Sequence, residues 1–138
     1  MRAYLEGLPV PVEEEYVRRE MAELSVKYAP PHGTAFLAWI DDRPVGVVGV
    51  RSFGDSGTDA ELKRMYVAPE GRGRGAGRLL TAAAIDAART LGYRRLLLDA
   101  VDSMVEAIAI YQSLSFAETE PYRFNPVSGA RYFALELC

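Results

Sequence analysis

Val67-Ala68-Pro69-Glu70-Gly71-Arg72-Gly73-Arg74-Gly75-Ala76-Gly77-Arg78-Leu79-Leu80 is the stretch on which the reading of the whole chain turns. Four glycines alternate with small or basic residues, and an amphipathic helical pattern begins at once. Ala60 to Val67, just before, has strand composition. A glycine loop between a strand and a helix start gathers backbone N–H groups with no Cβ in the way. Those unpaired donors and the positive end of the helix dipole make a cradle for phosphate. Arg72, Arg74 and Arg78 add positive charge at the same place. The expected ligand is therefore a phosphorylated cofactor.

Downstream, the helix runs to about Leu91. Ala76, Leu79, Leu80, Ala83, Ala84, Ala87 and Leu91 share one face, and Gly92 is its expected C-terminal cap. Arg94 to Val101 holds Leu96-Leu97-Leu98, a buried strand. Strand, helix and strand with a short return form a right-handed βαβ unit, so the two strands run parallel. Ser103 to Glu106 reads as a capping box opening a helix with Met104, Ala107, Ile108, Tyr111 and Leu114 on one stripe. Phe116 to Tyr122 and Arg131 to Leu137 read as strands around a turn region at Asn125-Pro126 to Gly129.

Upstream, Leu8-Pro9-Val10-Pro11 is extended or turn-like, and Val12 to Tyr28 is helical, ended by Pro30-Pro31. Thr34 to Ile40 and Val45 to Val50 form a hairpin through a turn at Asp41-Asp42-Arg43-Pro44. The expected architecture is α/β: a mixed, mostly antiparallel sheet with a central parallel strand pair and flanking helices. No repeats or linkers divide residues 1–138, so a single domain is expected.

Composition narrows the function classes. The 138 residues are 49% hydrophobic and 25% charged, the profile of a globular chain. A net charge of −3 argues against a nucleic-acid binder. The single cysteine, Cys138, excludes a disulfide framework or Cys-rich metal site and fits a reducing cytoplasm. The single histidine, His32, lies in a Pro-Pro-His-Gly turn and argues against His-based metal sites or Ser-His-Asp chemistry. No apolar run is long enough for a membrane helix, and no signal-peptide pattern opens the chain.

Three rival readings of the glycine loop fare worse. A P-loop needs Gly-Lys-Ser/Thr, which is missing. A dinucleotide fingerprint can be forced onto Gly71, Gly73 and Ala76, but two bulky arginines would sit in its tight turn and too few strands follow. A plain connector needs only one of these glycines, and each extra one carries an entropic cost.

Arg72-Gly73-Arg74-Gly75-Ala76-Gly77, an R-x-x-G-x-G loop, resembles the acyl-CoA-binding motif of the GNAT N-acetyltransferase superfamily. Tyr66-Val67-Ala68-Pro69 before it, Leu96-Leu97-Leu98-Asp99 after the helix, and Ala107 to Tyr111 before Phe116 match in order, so the resemblance covers about Thr34 to Leu137. Two positions depart from the pattern. Met104 stands where Asn is frequent, removing one polar contact to the cofactor. Ser115 stands where Gly is usual before Phe116, which suggests that φ > 0 is not needed there.

The resemblance implies that the parallel strands splay and admit the pantetheine arm of acetyl-CoA. The backbone of Met65, Tyr66 and Val67 would take the pantetheine amides, and the loop from Arg72 through Gly73, Arg74, Gly75, Ala76 and Gly77 to Arg78 would take the pyrophosphate. The Val67 N–H would act as oxyanion donor. Glu61 would be the base, lying six residues before Val67 and on the same side by parity, unless a bulge intervenes; the competing reading is a solvated strand Glu paired with Lys63 or Arg64. Tyr111 would lie near the sulfur of the cofactor, either as proton donor or as hydrogen-bond donor; the competing reading is a core tyrosine. Asp99, Tyr122, Arg123 and Asn125 are candidates for the acceptor site. The implied activity is acetyl transfer from acetyl-CoA to a primary amine of a small molecule, amino acid or peptide, with no metal. The alternative is an acyl-CoA-binding sensor without turnover. A homodimer through an exposed strand edge fits either.

Overall fold

A computed structural model describes Arg19 and residues 33–137. The sequence-predicted segment at residues 8–11, His32 and Cys138 lie outside the described residues, as does the helix over 12–28 apart from Arg19, which is helical and exposed. The elements are β1 (Thr34–Ile40), β2 (Arg43–Phe53), β3 (Asp59–Val67), α1 (Ala76–Thr90), β4 (Arg95–Val101), α2 (Val105–Ser113), β5 (Ala117–Thr119) and β6 (Ala130–Glu136), with a 3-10 turn at Pro69–Gly71. They build one six-stranded sheet in the order β1-β2-β3-β4-β6-β5. Among the described residues only β3 and β4 run parallel; every other pairing there is antiparallel. This is the expected mixed α/β architecture.

The first hairpin is tighter than its composition suggests. Asp41 and Asp42 alone make the turn, with φ of 50° and 65°, and Arg43-Pro44 already belong to β2. Two residues at positive φ match the twist of the strands they join, and aspartate tolerates that region. β2 also runs on to Phe53, past the expected end at Val50. β5 is only three residues, so most of the expected strand over 116–122 is a loop.

α1 buries Ala76, Leu80, Thr81, Ala84, Ile85 and Ala88. Its buried stripe is rotated from the expected one: Leu79 is exposed, and Thr81 is buried because its hydroxyl donates to the Gly77 carbonyl at 2.7 Å. The alanines let the helix lie close on β2 and β3 in the main core, with Val45, Val48, Ala60, Leu62, Leu96, Leu98 and Phe133. A smaller cluster of Ala35, Leu37 and Val47, flanked by Trp39 and Tyr66, lies apart from it. Gly92 caps α1 at φ 92°, with its N–H on the Arg89 carbonyl.

Two local expectations are corrected. The capping box does not form: α2 is preceded by Met104, and no side chain caps it. Ser115 does take positive φ, 79°, because the chain must reverse between α2 and Phe116, whose N–H returns to the Tyr111 carbonyl. The fold holds serine in the left-handed conformation where glycine would sit without strain.

Candidate active site

The parallel pair defines the site. β3 and β4 are in register only at Asp59–Arg95, Ala60–Leu96 and Glu61–Leu97. Beyond Glu61 the ladder stops, and β3 and β4 run on unpaired with each other to Val67 and Val101, the wide end of the gap between them. The narrow end is latched by Arg95, whose Nε and Nη2 donate to the two Asp59 oxygens at 3.2 and 2.9 Å.

At the wide end the Ala68 N–H bonds the Val45 carbonyl at 2.7 Å. Alternation along an antiparallel ladder then turns the Val67 N–H and carbonyl toward the gap and those of Tyr66 toward β2. Arg72 Nε donates to the Val67 carbonyl at 3.0 Å. Tyr66 thus differs from the expectation for residues 65–67: its backbone faces its neighbour strand, and its side chain packs with the smaller cluster.

The glycine loop leads from Val67 straight into α1. Gly73 and Gly75 sit at φ of 75° and 84°, with open space where a Cβ would stand. Gly75 is the N-cap of α1 and has no side chain, so the first-turn N–H groups have no side-chain acceptor there. A Cβ at Gly77 would meet Ile110 at 3.2 Å, so this glycine serves the contact with α2. The three arginines divide. Arg72 holds Val67, and Arg78 Nη2 donates to Ser113 Oγ at 2.6 Å, tying α1 to α2. Arg74 is exposed.

Glu61 departs most from its expected setting. Residues 64 and 65 both oppose Val48, a bulge with Arg64 at φ 60°. Ala60 and Leu62 pack into the main core before the bulge, and Met65 and Val67 pack against it after. Glu61 and Val67 therefore turn their side chains to opposite faces, and the parity argument fails at the bulge.

Glu61 is also not solvated: it is 0% exposed. Its Oε2 accepts from Tyr122 Oη and from Arg123 Nη1, both at 2.8 Å. Lys63 Nζ lies 3.9 Å from Oε2, and Arg51 Nη2 lies 3.6 Å from Oε1. Oε1 is buried without a hydrogen-bond partner.

The chain between β5 and β6 folds back over this face of the sheet. Tyr122 packs edge-on against Phe53 and Tyr132, with centroids 5.0 and 5.5 Å away. Burial and the Glu61 carboxylate raise its pKa. The Arg123 pKa is raised too: burial lowers it, but the charge and hydrogen bond of Glu61 outweigh burial. Asn125 Nδ2 donates to Asp99 Oδ2 at 3.0 Å, and Lys63 Nζ stands 3.6 Å from Asp99 Oδ1. Glu61, Asp99, Tyr122, Arg123 and Asn125, all singled out in the sequence, thus form one network. Arg51 was missed. It lies directly opposite Glu61 on β2, and carrying the strand past Val50 would have found it.

Tyr111 lies in the main core, 3% exposed, edge-on to Phe116 with centroids 5.8 Å apart. Burial pushes its pKa up to about 12. Proton transfer to a thiolate whose acid has pKa ~8.5 is then uphill by about 5 kcal/mol, so Tyr111 is suited to donating a hydrogen bond rather than a proton.

That shift has a stability consequence. The unfolded tyrosine ionises near pH ~10 while the buried one stays neutral to about pH 12, so the unfolded state binds fewer protons between those values. Stability conferred by neutral Tyr111 is full below pH ~10 and falls by about 2 kcal/mol as the pH rises to 12. Urea titrations from pH 9 to 11.5 should show a shallower decline in Tyr111→Phe. Equal slopes in the two proteins would refute the assignment.

A mixed sheet opening between its parallel strands, beside a glycine-rich helix start, defines the acyl-CoA N-acyltransferase class of fold. The family model described as "Acetyltransferase (GNAT) family" matches residues 2–116. The chain belongs to the GNAT acetyltransferase family, and by that membership it is an acyl-CoA-dependent N-acyltransferase. It is 36% identical over 138 residues to the uncharacterized N-acetyltransferase C1271.07c of Schizosaccharomyces pombe, covering 99% of this chain and 84% of that protein. It is 33% identical over 107 residues to the N-acetylaspartate synthetase of Danio rerio, covering 75% of this chain but only 38% of that protein. Among solved structures, yncA of Salmonella typhimurium, determined with its cofactor acetyl-CoA, superposes with a TM-score of 0.69 at 22% identity, over 87% of this chain and 73% of that one. Among the described residues no group of acidic, His or Cys side chains could hold a metal, and no helix is long and apolar enough to cross a membrane.

Proposed function

We propose that residues 1–138 form a single domain that transfers an acetyl group from acetyl-CoA to a primary amine by direct attack on the thioester. The observation that carries this reading is the three-rung β3–β4 pairing that opens toward the glycine loop. A splayed edge leaves N–H and C=O groups needing partners, which amides of an extended arm supply. Acetyl-CoA supplies a carbonyl already activated toward an amine.

The chain would supply the rest. N–H groups from Gly73 to Arg78 would hold the pyrophosphate, with Arg74 close by. The Met65 and Val67 backbones would hold the arm, with one N–H facing the charge that develops on the carbonyl oxygen. Tyr111 would hydrogen-bond the sulfur. A free amine is mostly protonated near neutrality, so a base is needed. Glu61 would serve through a water at Oε1, which faces Arg51 at 3.6 Å but accepts no hydrogen bond, since Oε2 is taken by Tyr122 and Arg123. The relatives named N-acetylaspartate synthetase make amino acids a sensible part of any acceptor panel.

The test is incubation with acetyl-CoA and a panel of small amines, amino acids and peptides, following free thiol. Acceptor-dependent release supports the proposal. Protein that binds acetyl-CoA but releases thiol no faster than hydrolysis, with every acceptor, would sink it.

A further inference from the structure

Lys63 and Asp99 are the first side chains beyond the narrow end of the gap on the face that carries Glu61. Lys63 is two residues past the last rung on β3, and Asp99 is two past it on β4. Their charged atoms meet at 3.6 Å, across the opening strands. Both are largely buried, with side chains 25% and 12% exposed. Each is anchored on its far side: Asp99 by Asn125 at 3.0 Å, and Lys63 by Glu61 at 3.9 Å. On the opposite face, the same level is closed by Leu62 and Leu98, which are 4% and 1% exposed.

The glycine loop stands at the wide end, so an arm anchored there runs toward the narrow end and places its acyl group closest to this level. We infer that the Lys63–Asp99 pair is the floor of the acyl site and restricts the enzyme to short acyl groups; this rests on the acyl-CoA reading above. Each added methylene must either press on Leu62 and Leu98 in a packed core or push between two part-buried opposite charges. The first crowds the core, and the second strips the pair of its partners without replacing them. An acetyl group ends before meeting either barrier.

Binding measures this without a known acceptor. Calorimetry with acetyl-, propionyl- and butyryl-CoA should give butyryl-CoA a Kd at least tenfold above that of acetyl-CoA. Lys63→Ala, which removes one half of the floor, should cut that ratio to threefold or less. Asp99→Asn, which keeps the shape beside Asn125, should also narrow it. Lys63→Arg should restore most of the discrimination, which a merely structural role for Lys63 does not predict. Butyryl-CoA binding as tightly as acetyl-CoA to the unaltered protein would overturn the inference. So would a ratio unchanged in both Lys63→Ala and Asp99→Asn. Failure of every acyl-CoA to bind would instead overturn the acyl-CoA reading, and the inference with it.

Discussion

Glu61→Ala is expected to lower stability by about 3 kcal/mol, the cost of removing one partner from a buried ion pair. The carboxylate is wholly buried and receives two 2.8 Å hydrogen bonds, from Tyr122 and Arg123. Alanine leaves the Tyr122 hydroxyl and a guanidinium facing a cavity. Arg123, 31% exposed, can turn partly to water, which keeps the loss near the lower end for buried pairs. Urea denaturation measures it, and a loss under 1 kcal/mol would show that the network contributes little. Glu61→Gln separates the structural part from the chemical one. It retains an acceptor for Tyr122 and nearly the same shape but cannot take a proton, so turnover should fall by at least tenfold more than its lost stability explains. Equal turnover in Gln and Glu proteins would exclude Glu61 as the base.

The second large effect is expected at the loop. In Gly75→Val a β-branched residue must adopt φ near 84° or the loop must change course. There is room for the side chain itself, so the penalty is in the backbone. Relaxing φ rotates the peptide groups at the helix start and disperses the N–H donors. The Kd for acetyl-CoA should rise at least thirtyfold, or about 2 kcal/mol, while far-ultraviolet circular dichroism stays unchanged. A Kd within threefold of the unaltered protein would mean that the phosphate contacts lie elsewhere.

Much of this was legible because it is local. The glycine loop, the helix after it and the apolar strand Leu96-Leu97-Leu98 each carry their pattern within a few residues, and the short connections force the βαβ unit. Features that depend on a partner strand were not legible. The bulge at Arg64 exists only in the register between β2 and β3, and it reverses which face Glu61 shares with Val67. The Glu61–Arg123 contact spans 62 residues, beyond the reach of any periodicity. Ser115 misled for another reason: a fold can impose positive φ on a residue that only tolerates it. The α1 stripe was displaced because Thr81 satisfies its hydroxyl within its own helix and can then be buried.

The three rungs between β3 and β4 make the sheet an unfinished one, in which a ligand's amides would be the missing cross-links between its two halves. Occupancy and cohesion should then rise together. At a ligand concentration a hundred times its Kd, mass action alone adds about 2.7 kcal/mol of stability. Hydrogen exchange should register this unevenly. The Val67 amide, turned toward the gap, should slow sharply when acetyl-CoA is added. Amides of β1 and β2, already laddered, should slow only as much as the global stability rises.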